Sequence, residues 1–288
     1  MRDNYVLGPE ALVMAQGSSK GAQPKYYQDG YWYKVNAAGY EGKSEELVSK
    51  VLSCSNVKKY VTYEQCMING KAGCRSKNFL GENECFISFQ RLFDIYEGGD
   101  LTAQTLRMSD VQERIDFVKE FIEEKTGFDC SNYLSQILTL DMLTANTDRH
   151  FHNLGLIVNT KENAYKEAPI FDNGNALLSQ MSRFDAETIE ENMERVIGQP
   201  FSSNLERQAY EAGFGLKLDY QALNSLLGQE QNSRAVEVLR YQLNRYKNII
   251  PNFEHPRESL DAQLERVAEE GRIEEKHMYI HKNPDISR

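Results

Sequence analysis

Asp148 and Asn153 stand five residues apart in the run Asn146-Thr147-Asp148-Arg149-His150-Phe151-His152-Asn153. A carboxylate there can accept the proton of a hydroxyl, while a neutral amide oxygen one loop turn away can ligate a divalent cation without adding charge. In-line phosphoryl transfer needs that pair of groups. Asp and Asn also populate loops because their side chains mimic backbone turns, so the spacing does not suffice by itself. A second acid strengthens it. Asp172, in Ile170-Phe171-Asp172-Asn173-Gly174, lies 19 residues beyond Asn153 at the end of an apolar run, where it can be the main cation ligand. Taken alone, that segment also reads as a plain type I turn.

Two features upstream bear on the phosphates such chemistry would use. Gly17-Ser18-Ser19-Lys20-Gly21-Ala22-Gln23-Pro24-Lys25 offers backbone N–H groups that can cradle an anion, with Gly17 and Gly21 permitting close approach. It lacks the Gly-Lys-Ser/Thr ending of a Walker A loop. Nine residues after Lys25, Lys34 sits inside the aromatic run Tyr31-Trp32-Tyr33-Lys34-Val35. An ammonium buried without a counter-charge is unfavourable, so Lys34 needs a phosphate or a carboxylate from the helix that follows. Glu46, or in second place Glu45, is placed to supply it. Snorkelling at a sheet edge and a solvated helix face are the plain alternatives for Lys34 and Glu46. Their order argues for the chemical reading: loop, strand lysine, helix glutamate, buried helix, Asp with Asn at five, then Asp-x-Gly.

The elements needed to hold these groups can be read from periodicity. Residues 5–16 carry an apolar run broken by Gly8-Pro9, and Asp29-Gly30 is a hairpin dipeptide before the aromatic strand. Leu47, Val48, Val51 and Leu52 at helical spacing predict a helix over 45–52, followed by strands over 60–68 and 85–93. Gly98-Gly99 marks a break near a boundary at 93–100, with residues 1–93 as one part and 94–288 as the other. Beyond it Ser109 with Gln112 suggests a capping box, and Val111, Ile115, Val118 and Ile122 continue a helix. Residues 133–143 read as a central buried helix, 154–158 and 168–171 as short strands. Val236, Leu239, Leu243, Tyr246 and Ile250 make a core-packing stripe. The fold class is therefore α+β, strand-rich at the front and mainly helical behind.

The motifs resemble those of the HipA-like atypical serine/threonine protein kinases, including the short CtkA-type members. Residues 17–25 are similar to that family's Gly-Ala-x-x-Lys phosphate loop, and residues 146–153 to its Asn-x-Asp-x-His-x-x-Asn catalytic loop. Residues 170–174 are similar to its metal-binding segment, so the likeness runs from Gly17 to Gly174. The resemblance implies a two-lobed protein-kinase-like fold, with an N-lobe antiparallel sheet carrying one helix and a mainly helical C-lobe. It implies ATP with Mg2+ as cofactors and transfer to serine or threonine. Gly17, Ser18, Ser19, Gly21, Ala22, Lys25, Lys34 and Glu46 would hold the nucleotide, and Gln90 and Leu92 would form the adenine-contacting hinge. Asp148 would be the proton acceptor, His150 its ordering neighbour, and Asn153 and Asp172 the metal ligands, while His152 would face solvent. Ser18, with Ser19 beside it, matches a loop serine whose autophosphorylation switches activity off. The resemblance further implies a toxin or effector role and an antitoxin partner. Longer members carry a subdomain ahead of the kinase, and only 16 residues precede Gly17, so the expectation is either a separate polypeptide supplying it, as a second partner, or a free-standing kinase.

Bulk properties narrow the partners. A formal net charge of -10 disfavours a chain held to nucleic acid through phosphate contacts. No apolar run reaches the roughly 20 residues needed to span a bilayer, and Met1-Arg2-Asp3-Asn4 lacks the basic start of a signal peptide, so a cytoplasmic protein without membrane association is expected. Five cysteines with no CxxC point to reduced thiols. Three competing readings remain: a metal-dependent hydrolase using Asp148, His150, His152 and Asp172, a pseudokinase or nucleotide-binding scaffold, and a small-molecule or lipid kinase.

Overall fold

Two short hairpins build the front of the molecule. Strands β2 (Lys25–Gln28) and β3 (Tyr31–Val35) turn at Asp29-Gly30, both at positive φ (50° and 79°), the requirement of a type I′ turn. Strands β4 (Tyr63–Ile68) and β5 (Lys71–Lys77) turn in the same way at Asn69-Gly70, with φ of 50° and 75°. With β1 (Asn4–Tyr5) they form a five-stranded sheet in the order β1-β4-β5-β3-β2. The sheet is antiparallel except at β1, which pairs in parallel with β4. The structure, a computed structural model, describes residues 3–13 and 24–253.

Helix α1 (Glu41–Ser53) approaches this sheet closely at Gly42, and glycine at 73 keeps two of the sheet's strands close. A Cβ on Gly42 would fall 2.7 Å from the carbonyl of Gly73 in β5, and a Cβ on Gly73 would fall 2.2 Å from the carbonyl of Lys34. A side chain at Gly42 would push α1 off β5, and one at Gly73 would push β5 off the lysine strand beside it. Leu47, Val48, Val51 and Leu52 are fully buried on the face of α1 that joins the main core.

A second sheet, β6 (Glu84–Ser88), β7 (Gly155–Asn159) and β8 (Ala164–Glu167), is antiparallel and leads into the helical part. That part holds α2 (Phe89–Tyr96), α3 (Leu101–Thr105), α4 (Val111–Thr126), α5 (Ser131–Thr144), α6 (Ile189–Glu194), α7 (Leu205–Glu211), α8 (Tyr220–Gln229) and α9 (Arg234–Tyr246). Helix α5 is buried on every side from Tyr133 to Thr144 and is the axis of the core. Burying a leucine such as Leu138 or Leu140 stabilises the fold by about 1.5–3 kcal/mol each. Val236, Leu239, Leu243, Tyr246 and Ile250 are all buried, as their stripe predicts.

Several local expectations are corrected. Residues 85–93 do not remain a strand, because the Ser88 hydroxyl accepts from the Arg91 N–H and starts α2. The N-cap of α4 is Asp110 rather than Ser109, its carboxylate accepting from the Gln112 N–H at 2.8 Å. The strand expected over 168–171 reduces to a single bridge between Ile170 and Tyr60, while β8 lies earlier. Strand β5 falls where the sequence suggests only a polar connection. All five cysteines are free thiols, four buried and Cys85 exposed.

Candidate active site

Strand alternation sends Lys34 to the face of the first sheet that looks toward α1, and register places Lys25 directly opposite it on the same face. Like charges at opposed positions repel, so this arrangement needs acids nearby. They come from two directions. Lys34 Nζ lies 2.7 Å from Glu45 Oε1, from α1, and 2.7 Å from Asp172 Oδ1, from the segment after β8. Glu45 closes the figure by accepting the Asn173 N–H at 2.8 Å on its other oxygen. The expected partner Glu46 is one helical step away and faces outward, to Lys43 at 2.9 Å and Lys50 at 3.2 Å.

Burial shapes the charge of this cluster. Desolvation pushes the Asp172 carboxyl up, but the Lys34 and Lys25 ammonium groups, the Lys34 hydrogen bond and Arg149 together hold it well below the usual carboxylate range. For Glu45 burial prevails and pushes its carboxyl up against the pull of Lys34. Burial lowers Lys34, yet Asp172 and Glu45 outweigh it and keep the ammonium charged far above the ordinary lysine range. Lys25 is lowered, by burial first, with Asp172 pulling the other way. Asp172 itself adopts φ of 60°, left-handed backbone uncommon outside glycine, of the kind that collects at sites where surrounding contacts hold a residue in place.

The loop after α5 is fixed from inside. Asn146 donates to Asp141 at 2.9 Å and accepts from the Asp148 N–H at 3.2 Å. Arg149 is wholly buried and grips Asp141 through Nε and Nη2 at 2.9 and 3.0 Å. The same guanidinium donates to the Phe171 carbonyl at 2.8 Å and to Asn173 Oδ1 at 2.6 Å, the residues on either side of Asp172. Arg149 thus ties Asp148 and Asp172 to one helix. Sequence reasoning missed this pair, although an acid within an otherwise apolar helix was its signal.

The two oxygens of Asp148 accept from Asn175 Nδ2 at 2.8 Å and Gln199 Nε2 at 3.2 Å. His150, expected to order Asp148, does not bond to it through its ring, which packs edge-on against His152 at 5.6 Å between centroids. Asn153 donates to the Asp148 carbonyl at 3.3 Å, while among the described residues no donor reaches its buried Oδ1. An orphaned amide oxygen and an ionised carboxylate such as that of Asp172 are both oxygens that a hard cation prefers. Asn153 and Asp172 would hold Mg2+, which would supply charge neutralisation at the phosphates. No three His, Cys, Asp or Glu side chains converge as metal ligands among the described residues.

Other expected positions divide clearly. Gly17, Ser18, Ser19, Gly21 and Ala22 lie outside the described residues. Gln90 and Leu92 both belong to α2, directly after β6; Leu92 is in the core, and the Gln90 side chain donates to the Gly99 carbonyl and accepts from the Leu101 N–H. A partly exposed aromatic cluster adjoins Asp172, where Phe171 packs against Phe79 and Phe86 at 5.6 and 5.2 Å.

No protein-family model matches the chain, and no curated protein matches it in sequence. Solved structures do. The Helicobacter pylori proinflammatory kinase CtkA aligns with a TM-score of 0.61 at 16% identity, covering 87% of this chain and 95% of that one. HipA of Shewanella oneidensis MR-1, solved with HipB and operator DNA, gives a TM-score of 0.37 at 12% identity, covering 86% of this chain and 62% of its own. With the sheet, the clasped lysine and the loop after α5 in this order, the chain has the two-lobed kinase fold of CtkA.

Proposed function

We propose that the chain is an ATP-dependent protein kinase that transfers a phosphoryl group to a serine or threonine hydroxyl. Residues 1–93 act as its N-lobe and 94–288 as its C-lobe. The observation that carries this reading is the clasp of Lys34 between Glu45 and Asp172. A strand lysine paired to a helix carboxylate, beside a metal-binding acid, is the arrangement a phosphoryl-transfer site must assemble. Lys34 and Lys25 meet the phosphates, and Asn153 and Asp172 hold the cation. Asp148 accepts the proton of the alcohol, a role a carboxylate fills without a thiol or metal-bound water. The acidic charge of the chain favours a protein over a lipid acceptor, since an anionic membrane surface would repel it.

The sole tryptophan offers a direct test. Trp32 is two residues before Lys34 on the same face, about 7 Å along the strand, and packs at a tilt against Tyr27 with centroids 5.0 Å apart. ATP with Mg2+ should change its emission saturably, ATP without Mg2+ should do so far less, and Lys34→Met should remove the response. A saturable change with no label passing from γ-labelled ATP to protein or water would make the chain a nucleotide-binding scaffold. An unaltered emission with no label transfer would leave neither function.

A further inference from the structure

The carboxylate assigned as proton acceptor is held by two neutral amides from different parts of the chain. Asn175 belongs to the segment that carries Asp172, and its own Oδ1 accepts from Gln180 Nε2 at 2.9 Å. That bond sets which end of the amide faces Asp148, so Nδ2 points at the carboxylate oxygen 2.8 Å away. Gln199 lies on the stretch between α6 and α7. Its Nε2 donates both to Asp148 Oδ1 at 3.2 Å and to the Thr147 carbonyl at 3.0 Å, and its backbone carbonyl accepts from the buried Gln208 at 3.2 Å. Each donor is therefore itself anchored, and together they fix both the plane and the tilt of the carboxylate.

We propose that Asn175 and Gln199 are positioning residues for phosphoryl transfer, aiming one free lone pair of Asp148 at the acceptor hydroxyl; this rests on the kinase reading above. Each carboxylate oxygen has room for two hydrogen bonds, so one amide per oxygen leaves a site for the incoming O–H. Neutral donors hold the group in place without adding the positive charge that a lysine or arginine would bring to it. In the step they serve, the acceptor oxygen forms its bond to the γ-phosphorus as its proton passes to Asp148. The bridging P–O bond of ATP breaks, and its electron pair leaves on ADP. A carboxylate free to rotate would spend most of its time misaligned, and alignment is a large part of what general-base catalysis needs. Asn175 also couples this aim to the metal-binding segment, since the Thr147 N–H bonds the Asn175 carbonyl at 3.4 Å.

Asn175→Leu and Gln199→Met remove the donors at nearly constant volume. Turnover is read as label leaving γ-labelled ATP for the chain itself and for water, and nucleotide affinity from Trp32 emission. Each substitution is expected to lower kcat by about 10-fold and the pair by about 10²-fold, a fraction of a full general-base contribution, with the KM for ATP within about 2-fold. In an Asp148→Asn background neither should cost anything further, because both act through that carboxylate. Gln199→Asn, which keeps the amide but draws it back by one methylene, should reproduce the loss of kcat even if a larger change disturbs folding. Wild-type kcat in these variants, or equal losses with and without Asp148, overturns the inference alone. A wild-type chain that transfers no label, or an Asp148→Asn chain that transfers it normally, overturns the kinase reading and the inference with it.

Discussion

Asp148→Asn is expected to lower phosphoryl-transfer turnover by about 10²–10⁴-fold while leaving nucleotide affinity nearly unchanged, the loss of a positioned proton acceptor. The separation of the two effects follows from the geometry. Asp148 is bonded by the amides of Asn175 and Gln199, whereas Lys34, Lys25 and Asp172 form the proposed anion and cation site. Asp172→Asn should do the opposite. It takes one of the two carboxylates away from Lys34 and removes the ionised oxygen from the cation site, so Mg2+-dependent binding of ATP should disappear along with turnover. Titrating Trp32 emission with ATP and Mg2+ in each variant, beside label transfer, separates them. Turnover within about 3-fold of wild type in Asp148→Asn would remove the general-base assignment, since even the weakest such groups contribute more.

The candidate site residues were legible because their spacing is local. Asp148 with Asn153, the acid before Gly174 and the lysine inside an aromatic strand can each be found without knowing what packs against them. Facing was harder. Glu45 and Glu46 differ by one helical step, and reading the wheel through its neighbours would have chosen correctly. Glu46 is three residues after Lys43 and four before Lys50, which marks a polar face, while Glu45 shares its side with Val48 and Leu52. The overlong strand has the same origin: Phe89, Leu92 and Phe93 recur at helical spacing after a capping serine, so the strand had to end at Ser88. Strand β5 left almost no signal, because a central strand with Gly73 and charged residues at 71, 75 and 77 lacks apolar alternation. Its place between β4 and β3 depends on partners distant in sequence. The amides on Asp148 were invisible for that reason too, lying 27 and 51 residues away.

Arg149→Met is expected to destabilise the fold by about 3–5 kcal/mol, the cost of stranding one member of a buried ion pair. Both side chains of the Arg149–Asp141 pair are wholly buried, and Asp141 would keep only the Asn146 amide. Burial already pushes the Asp141 carboxyl up, with Arg149 pulling it back; without the guanidinium the acid would take up a proton rather than remain charged in the core. Two further acceptors would also lose their donor, the Phe171 carbonyl and Asn173 Oδ1, so the loss reaches the segment bearing Asp172. Removing both charges together, as Arg149→Met with Asp141→Leu, should recover much of the stability, because apolar pairs of similar volume often replace buried ion pairs without penalty. It should not recover turnover, since the guanidinium bonds to the Phe171 carbonyl and Asn173 Oδ1 on either side of Asp172 are gone, and the bonds of Asn175 to Thr147 and Asp148 must then hold the two segments together. Urea midpoints at an unchanged m-value measure the first quantity and label transfer the second. A single variant that loses less than about 1 kcal/mol would mean the pair is a surface-like contact in energetic terms. A double variant with full turnover would show that the two catalytic segments find their places without it.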